Sequence, residues 1–81
     1  MRLQGGFNLV AWTGETRDIA VAIEPIVRWV VSVHTWDAQT QSYRVYRPGA
    51  PGFLNAIAAL RTGEGVWIEM QRGVSVNWRQ R

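Results

Sequence analysis

The chain has no cysteine, no lysine, a single histidine and no apolar run near the length of a bilayer span. Without cysteine there is neither a disulfide framework nor a thiolate metal site, so its 81 residues must be held by packing alone. One histidine cannot fill the usual zinc shell. Calcium needs several converging oxygens, whereas Asp37, Glu64 and Glu69 are scattered along the chain without EF-hand spacing. No metal and no cofactor is expected, and no membrane-spanning helix. Met1-Arg2-Leu3-Gln4-Gly5-Gly6 does not read as a signal peptide, so any export signal is expected to lie outside this piece.

The absence of lysine bears on charge. All nine basic residues are arginine, which raises an isoelectric point without adding net charge at neutral pH. Arg2, Arg79 and Arg81 account for the formal +3, leaving six arginines against six acids between residues 3 and 78. A neutral body supplies little of the electrostatic attraction that dominates nucleic-acid binding, so nucleic acid is an unfavoured partner.

What the chain does have is aromatic area. Five tryptophans stand beside two tyrosines and two phenylalanines, and a buried aromatic side chain removes about 150 to 250 Å² from water. The length fits one domain with one core, expected over residues 6–78 between tails at 1–5 and 79–81. Phe7, Leu9 and Ala11 alternate with Asn8, Val10 and Trp12 as in a strand. Ile19, Ala22, Ile23, Ile26 and Val27 recur at helical spacing, with Thr16 or Asp18 as candidate caps. Pro25 should end or kink that helix near Glu24.

Trp29 to Trp36 is rich in β-branched residues and predicts a strand, with Trp29, Val31 and Val33 on its buried face and Ser32, His34 and Trp36 on the other. Tyr43 to Arg47 closes a hairpin with it. Phe53, Ala56, Ile57 and Leu60 predict a second short helix, stopped at Gly63. Val66–Met70 and Val74–Trp78 predict a final hairpin around Gln71-Arg72-Gly73. The expected fold is α+β, ordered β-α-β-β-α-β-β, with two short helices on one face of a mostly antiparallel five-stranded sheet that has scope to curl or partly close.

Taken together, Gly6-Phe7-Asn8-Leu9-Val10-Ala11-Trp12, Val33-His34-Thr35-Trp36-Asp37, Thr40-Gln41-Ser42-Tyr43, Tyr46-Arg47-Pro48-Gly49-Ala50-Pro51, Phe53-Leu54-Asn55 and Gly63-Glu64-Gly65-Val66-Trp67-Ile68 resemble an accessory module of exported, multidomain bacterial surface proteins. Its pattern is a Gly-aromatic-Asn-Leu-Val strand, a Trp-Asp hairpin, a Phe-Leu-Asn helix and a Gly-x-Gly-aromatic-Trp strand. Here Phe7 stands for the more usual Trp, Val66 for Tyr, and Pro25 interrupts the first helix. The resemblance implies an extracellular or cell-surface location within a longer protein, with neighbouring domains or other surface proteins as partners. It carries over no functional residue.

Candidate chemistry is sparse. Ser32, His34 and Asp37 contain the residue types of a nucleophilic triad, but side chains two apart on a strand stand about 7 Å apart at their bases and nothing supplies an oxyanion hole. Pro48-Gly49-Ala50-Pro51-Gly52 and Gly63-Glu64-Gly65 lack the phosphate-loop endings and read as turns. In Tyr43-Arg44-Val45-Tyr46-Arg47, strand alternation splits rings from charges across two faces, unlike a single-strand nucleic-acid platform. No catalytic residue is expected. The leading expectation is a non-enzymatic structural or interaction module. The alternative is a carbohydrate-binding module, with Trp12, Trp36, Tyr46 and Trp67 as the rings that would stack on a polysaccharide from an uncovered sheet face.

Overall fold

Alternating apolar side chains at both ends of the sequence place the first and last strands side by side. The structure, a computed structural model, describes residues 1–52 and 55–80. Strand β1 (Arg2–Ala11) is followed by a short β2 (Arg17–Asp18), a one-turn helix α1 (Ile19–Ala22) and a 3-10 helix (Glu24–Trp29). Then come β3 (Val30–Asp37), β4 (Ser42–Tyr46), a short β5 (Ala59–Leu60) and β6 (Gly65–Asn77). The main sheet is open, four-stranded and antiparallel, in the order β1-β6-β3-β4; β2 and β5 pair antiparallel as a separate ribbon.

One face of the sheet carries the core. Val33, Val66, Ile68 and Met70 project onto it and meet Ile19, Ala22, Ile23 and Ile26 from the helical segment and Ile57 and Leu60 from the ribbon side. Leu3, Trp12, Val30 and Trp78 complete the cluster. The coarse expectation, a mostly antiparallel sheet with two short helices, matches; the strand count, the order and the position of the second helix do not.

The two helices described, α1 and the 3-10 helix, lie in the first helical segment. The α-helix stops at Ala22, ahead of Pro25, which sits in the opening turn of the 3-10 helix where a missing amide costs least. Of the two candidate caps, Asp18 holds the N-cap position of α1 but its side chain makes no capping hydrogen bond, and the Thr16 hydroxyl accepts a hydrogen bond from the Thr62 amide. The helix expected from Phe53 to Leu60 is not formed over its described part; Phe53 and Leu54 lie outside the described residues. The Asn55 amide makes a local turn bond to the Gly52 carbonyl, and from Ala56 onward the backbone bonds elsewhere. The Ala56 amide donates to the Val45 carbonyl, and the Ala58 carbonyl accepts from the Ile19 amide. Ala59 and Leu60 then pair with β2. Long-range partners have displaced the i to i−4 bonds of a helix.

The expected final hairpin is instead one bent strand of 13 residues. β1 extends back to Arg2 and runs beside both halves of β6, so Gln71-Arg72-Gly73 forms a bulge rather than a reversal. Gly5 faces that bulge so closely that a Cβ there would sit 2.9 Å from both the Gln71 carbonyl and the Gly73 nitrogen. Gly73 itself has φ +80, the left-handed region where glycine is favoured. Residues 1–5, read as a tail, therefore belong to the sheet: Leu3 is fully buried, and the Met1 carbonyl accepts from the Trp78 amide. Of the tail expected at 79–81, Arg81 lies outside the described residues.

A second bulge corrects the faces of β3. Val30 pairs with Met70 but Ser32 pairs with Glu69, leaving Val31 as the extra residue. Val30 and Val33 both reach the core while Val31 is exposed, and Trp29 ends the 3-10 helix, half-buried under the Arg28 guanidinium at 5.2 Å. Plain alternation from Trp29 had placed Val31 inside.

Candidate functional site: the open face of the sheet

The helices and the ribbon cover one side of the sheet, which leaves the other side to be defined by cross-strand register. Leu9, Trp67, His34 and Val45 form one row across all four strands. Phe7, Glu69 and Ser32 form the next, and Trp36 pairs with Tyr43. Four apolar side chains on this face are more than half exposed: Phe7 at 58%, Leu9 at 63%, Trp36 at 52% and Tyr43 at 53%. Contiguous exposed apolar area of this kind marks interaction sites.

The rings contact one another in edge-on and tilted arrangements favoured by aromatic quadrupoles. Trp36 and Tyr43 meet edge to face at 5.1 Å between centroids, Phe7 and Trp67 at 6.4 Å, and Phe7 lies 5.7 Å from the His34 ring. Phe7, His34, Tyr43 and Trp67 border a shallow depression of about 470 Å³.

Within this apolar field sits a short polar chain. Ser32 is fully buried, and its hydroxyl donates to Glu69 Oε1 at 3.0 Å while lying 2.9 Å from His34 Nε2. A hydroxyl has one proton, and here the carboxylate takes it. His34 Nε2–H must then donate to Ser32 Oγ, which leaves Nδ1 as the ring's acceptor. Burial, followed by the positive charge of Arg47, holds the His34 pKa below its ordinary 6.5 against the opposing pull of Glu69, so the imidazole is neutral at pH 7.

Although their bases stand two residues apart on the strand, the Ser32 hydroxyl and His34 Nε2 meet at 2.9 Å, because the imidazole is long enough to reach back along the face. Asp37 plays no part in this chain. Its Oδ2 accepts from Nε and Nη2 of Arg44 at 2.9 and 2.6 Å, and that pairing, followed by the Gln39 amide, lowers the carboxyl pKa below 3.8. A buried Ser32 hydroxyl bonded to a carboxylate is a structural link and is not presented as a nucleophile.

The four candidate stacking rings separate. Trp36 is on the open face and exposed; Trp67 is on it and half-buried. Tyr46 pairs with Val33 on the core side and packs against the core. Trp12 is 1% exposed, lies 5.4 Å from Trp78 at 37° between ring planes, and donates its indole N–H to the Glu15 carbonyl, so it is a core residue. Phe7, Leu9 and Tyr43 were missed as site residues. The signal that could have found them is register: alternation in β1 put Phe7 and Leu9 on one face, but only the β1-β6 and β3-β4 pairings place that face with Trp67 and Tyr43.

The glycine-rich segments are turns. Gly63 has φ +89 and its amide donates to the Trp12 carbonyl, while the Ala50 amide closes a turn onto the Arg47 carbonyl. Among the described residues, no group of three or more His, Asp or Glu is placed to hold a metal ion, and no helix is long and apolar enough to cross a membrane. Comparison with protein-family models, curated proteins and solved structures gives no match.

Proposed function

We propose that this domain is a non-enzymatic interaction module of a larger exported bacterial protein, and that the uncovered aromatic face of its sheet is the working surface. The observation that carries the reading is the concentration of Phe7, Leu9, Trp36 and Tyr43, each more than half exposed, on the one sheet face that the helices leave open. Packing alone does not call for these side chains at the surface, since the core is complete on the other face. The extracellular setting and a partner among neighbouring domains or other surface proteins are part of the same proposal, supported by the resemblance of the residue pattern to bacterial accessory modules.

A second reading, carbohydrate binding, is favoured by the depression among Phe7, His34, Tyr43 and Trp67. Rings offer flat apolar surface to a pyranose face, and a neutral His34 offers Nδ1 to a sugar hydroxyl. The test is an amide and indole NMR titration of the domain with soluble polysaccharides, with a short single-stranded oligonucleotide as control. Shifts confined to the Trp36 and Trp67 indoles on adding a glycan, abolished by Trp36→Ala, establish the sugar site. Shifts with the oligonucleotide alone overturn both readings, and silence with every glycan removes the sugar reading.

A further inference from the structure

The two edges of the sheet are treated differently. At the β4 edge, the Val45 carbonyl accepts from the Ala56 amide and the Arg47 amide donates to Asn55 Oδ1, so the segment after β4 covers the outward backbone groups. At the β1 edge, the Trp12 amide donates toward β6, to the Glu64 carbonyl. An antiparallel ladder alternates inward and outward groups. Val10 and Asn8 therefore also face β6, and the N–H and C=O groups of Phe7, Leu9 and Ala11 point away from the sheet. Toward the start of the strand the edge is closed again, because the Asn8 side chain bonds both backbone groups of Gln4 and the Gly6 carbonyl. The open stretch runs from Phe7 to Ala11, and all three outward residues are exposed. Among the described residues, no hydrogen bond covers their outward groups.

Exposed edges are normally blunted by charge, proline, a bulge or a covering segment. Phe7-Asn8-Leu9-Val10-Ala11 has no charge and no proline, and the β1 bulge lies before it, between Gln4 and Gly6. We infer that this stretch is a self-pairing interface: two copies of the chain join β1 to β1 as antiparallel strands about a two-fold axis at Leu9. Leu9 then opposes Leu9 of the partner subunit, and Phe7 opposes Ala11 of the partner subunit. Each of these pairings exchanges two backbone hydrogen bonds, and the large Phe7 side chain meets a small one. A second copy suits the edge because an isologous contact requires a self-complementary segment, and an uncharged one brings no like charges together across the axis. The side chains of Phe7 and Leu9 lie on the open face, so pairing extends the row Trp67–Leu9 into the row of the second copy and joins two four-stranded sheets into one. The inference goes beyond the proposed ligand surface and does not depend on it.

Sedimentation equilibrium of the full chain over a wide concentration range, with hydrogen exchange at matched concentrations, tests it. The expected result is a two-chain species at high concentration, with Leu9 and Ala11 amide protection that rises with concentration. Leu9→Pro removes an outward donor at an edge position, where proline is tolerated, and is expected to return the protein to one chain with its NMR dispersion intact. Leu9→Lys, which keeps the amide but adds a charge on the axis, is expected to do the same and decides the matter if the proline variant does not fold. A wild-type chain that stays single throughout overturns the inference. So does a two-chain species that survives Leu9→Lys, or one lost only with Trp36→Ala, which would put the contact on the sheet face. None of these outcomes bears on whether glycans shift the indoles.

Discussion

Asn8 and Gln4 bond to each other as though Asn8 were a neighbouring strand: Asn8 Nδ2 donates to the Gln4 carbonyl at 2.8 Å, and the Gln4 amide donates to Asn8 Oδ1 at 3.1 Å. The same Nδ2 reaches the Gly6 carbonyl at 3.2 Å and the Ile68 carbonyl at 3.3 Å. One side chain thus satisfies backbone groups that the bulge opposite Gln71–Val74 takes out of the ladder. It also closes the sheet edge before the open stretch begins. Asn8→Ala should cost about 1 kcal/mol of stability, because it removes several hydrogen bonds at once from exposed and part-buried backbone groups that water can in part replace. Asn8→Asp should cost at least as much, since it keeps the acceptor for Gln4 but sets a negative charge against carbonyl oxygens. Urea unfolding of the two variants measures both.

Gly5 lies within the bulge that Asn8 secures. A Cβ at Gly5 would meet backbone atoms at 2.9 Å, and backbone cannot swing aside as a side-chain end can. Gly5→Ala is expected to destabilise the fold by about 1 to 3 kcal/mol through overpacking. Gly52→Ala, where nothing lies within 4 Å, should be close to neutral by the same unfolding measurement. Equal effects at the two positions would refute the close approach.

The Glu69–Ser32–His34 chain predicts a pH window. His34 has a folded pKa below 6.5, so between that value and the unfolded one the unfolded chain binds more protons. Stability from this group should therefore be level above about pH 6.5, fall as pH drops from there toward the folded pKa of His34, and level off below it. Asp37, whose carboxyl is held low by Arg44, adds a separate loss as pH falls from about 3.8 through its folded pKa. An imidazole NMR titration should give a midpoint under 6.5, and His34→Gln should flatten the unfolding curve between pH 7 and 5. A midpoint above 6.5 would mean that Glu69 outweighs burial and Arg47.

Local pattern in the sequence is a good guide where a segment's partners are also local. Most of the Trp29–Trp36 and Tyr43–Arg47 segments do pair as a hairpin, as Val30–Asp37 and Ser42–Tyr46, and Pro25 does stand just past an α-helix. It misleads where a distant segment decides. Ala56 and Leu60 have helical spacing, yet the Ala56 amide bonds to the Val45 carbonyl and Leu60 pairs with Arg17 in the short ribbon. Gln71-Arg72-Gly73 looks like a reversal until Arg2–Gln4 is present to hold both halves of β6 in one strand. The open face was legible in part: Trp36 and Trp67 were chosen from alternation, while Trp12 and Tyr46 were lost to the core. Trp12 keeps the parity of β1: Val10 packs against the core, Leu9 and Ala11 are exposed, and the Trp12 ring turns in with Val10 to meet Trp78.

That contrast between the rings gives the most discriminating substitution pair. Trp12 is buried against Trp78 and bonded to the Glu15 carbonyl, so Trp12→Ala leaves a cavity and an unpaired carbonyl and should cost about 3 to 5 kcal/mol. Trp36 is half exposed, and its main protein contact is the edge-to-face meeting with Tyr43. Trp36→Ala should forfeit about 0.5 to 1.5 kcal/mol from that ring pair, leaving a folded domain with a changed surface. Thermal unfolding of both variants, read beside the glycan titration, separates architecture from function. A Trp36 variant that unfolds like the Trp12 variant would make Trp36 a packing residue and would remove the most exposed tryptophan from the proposed surface.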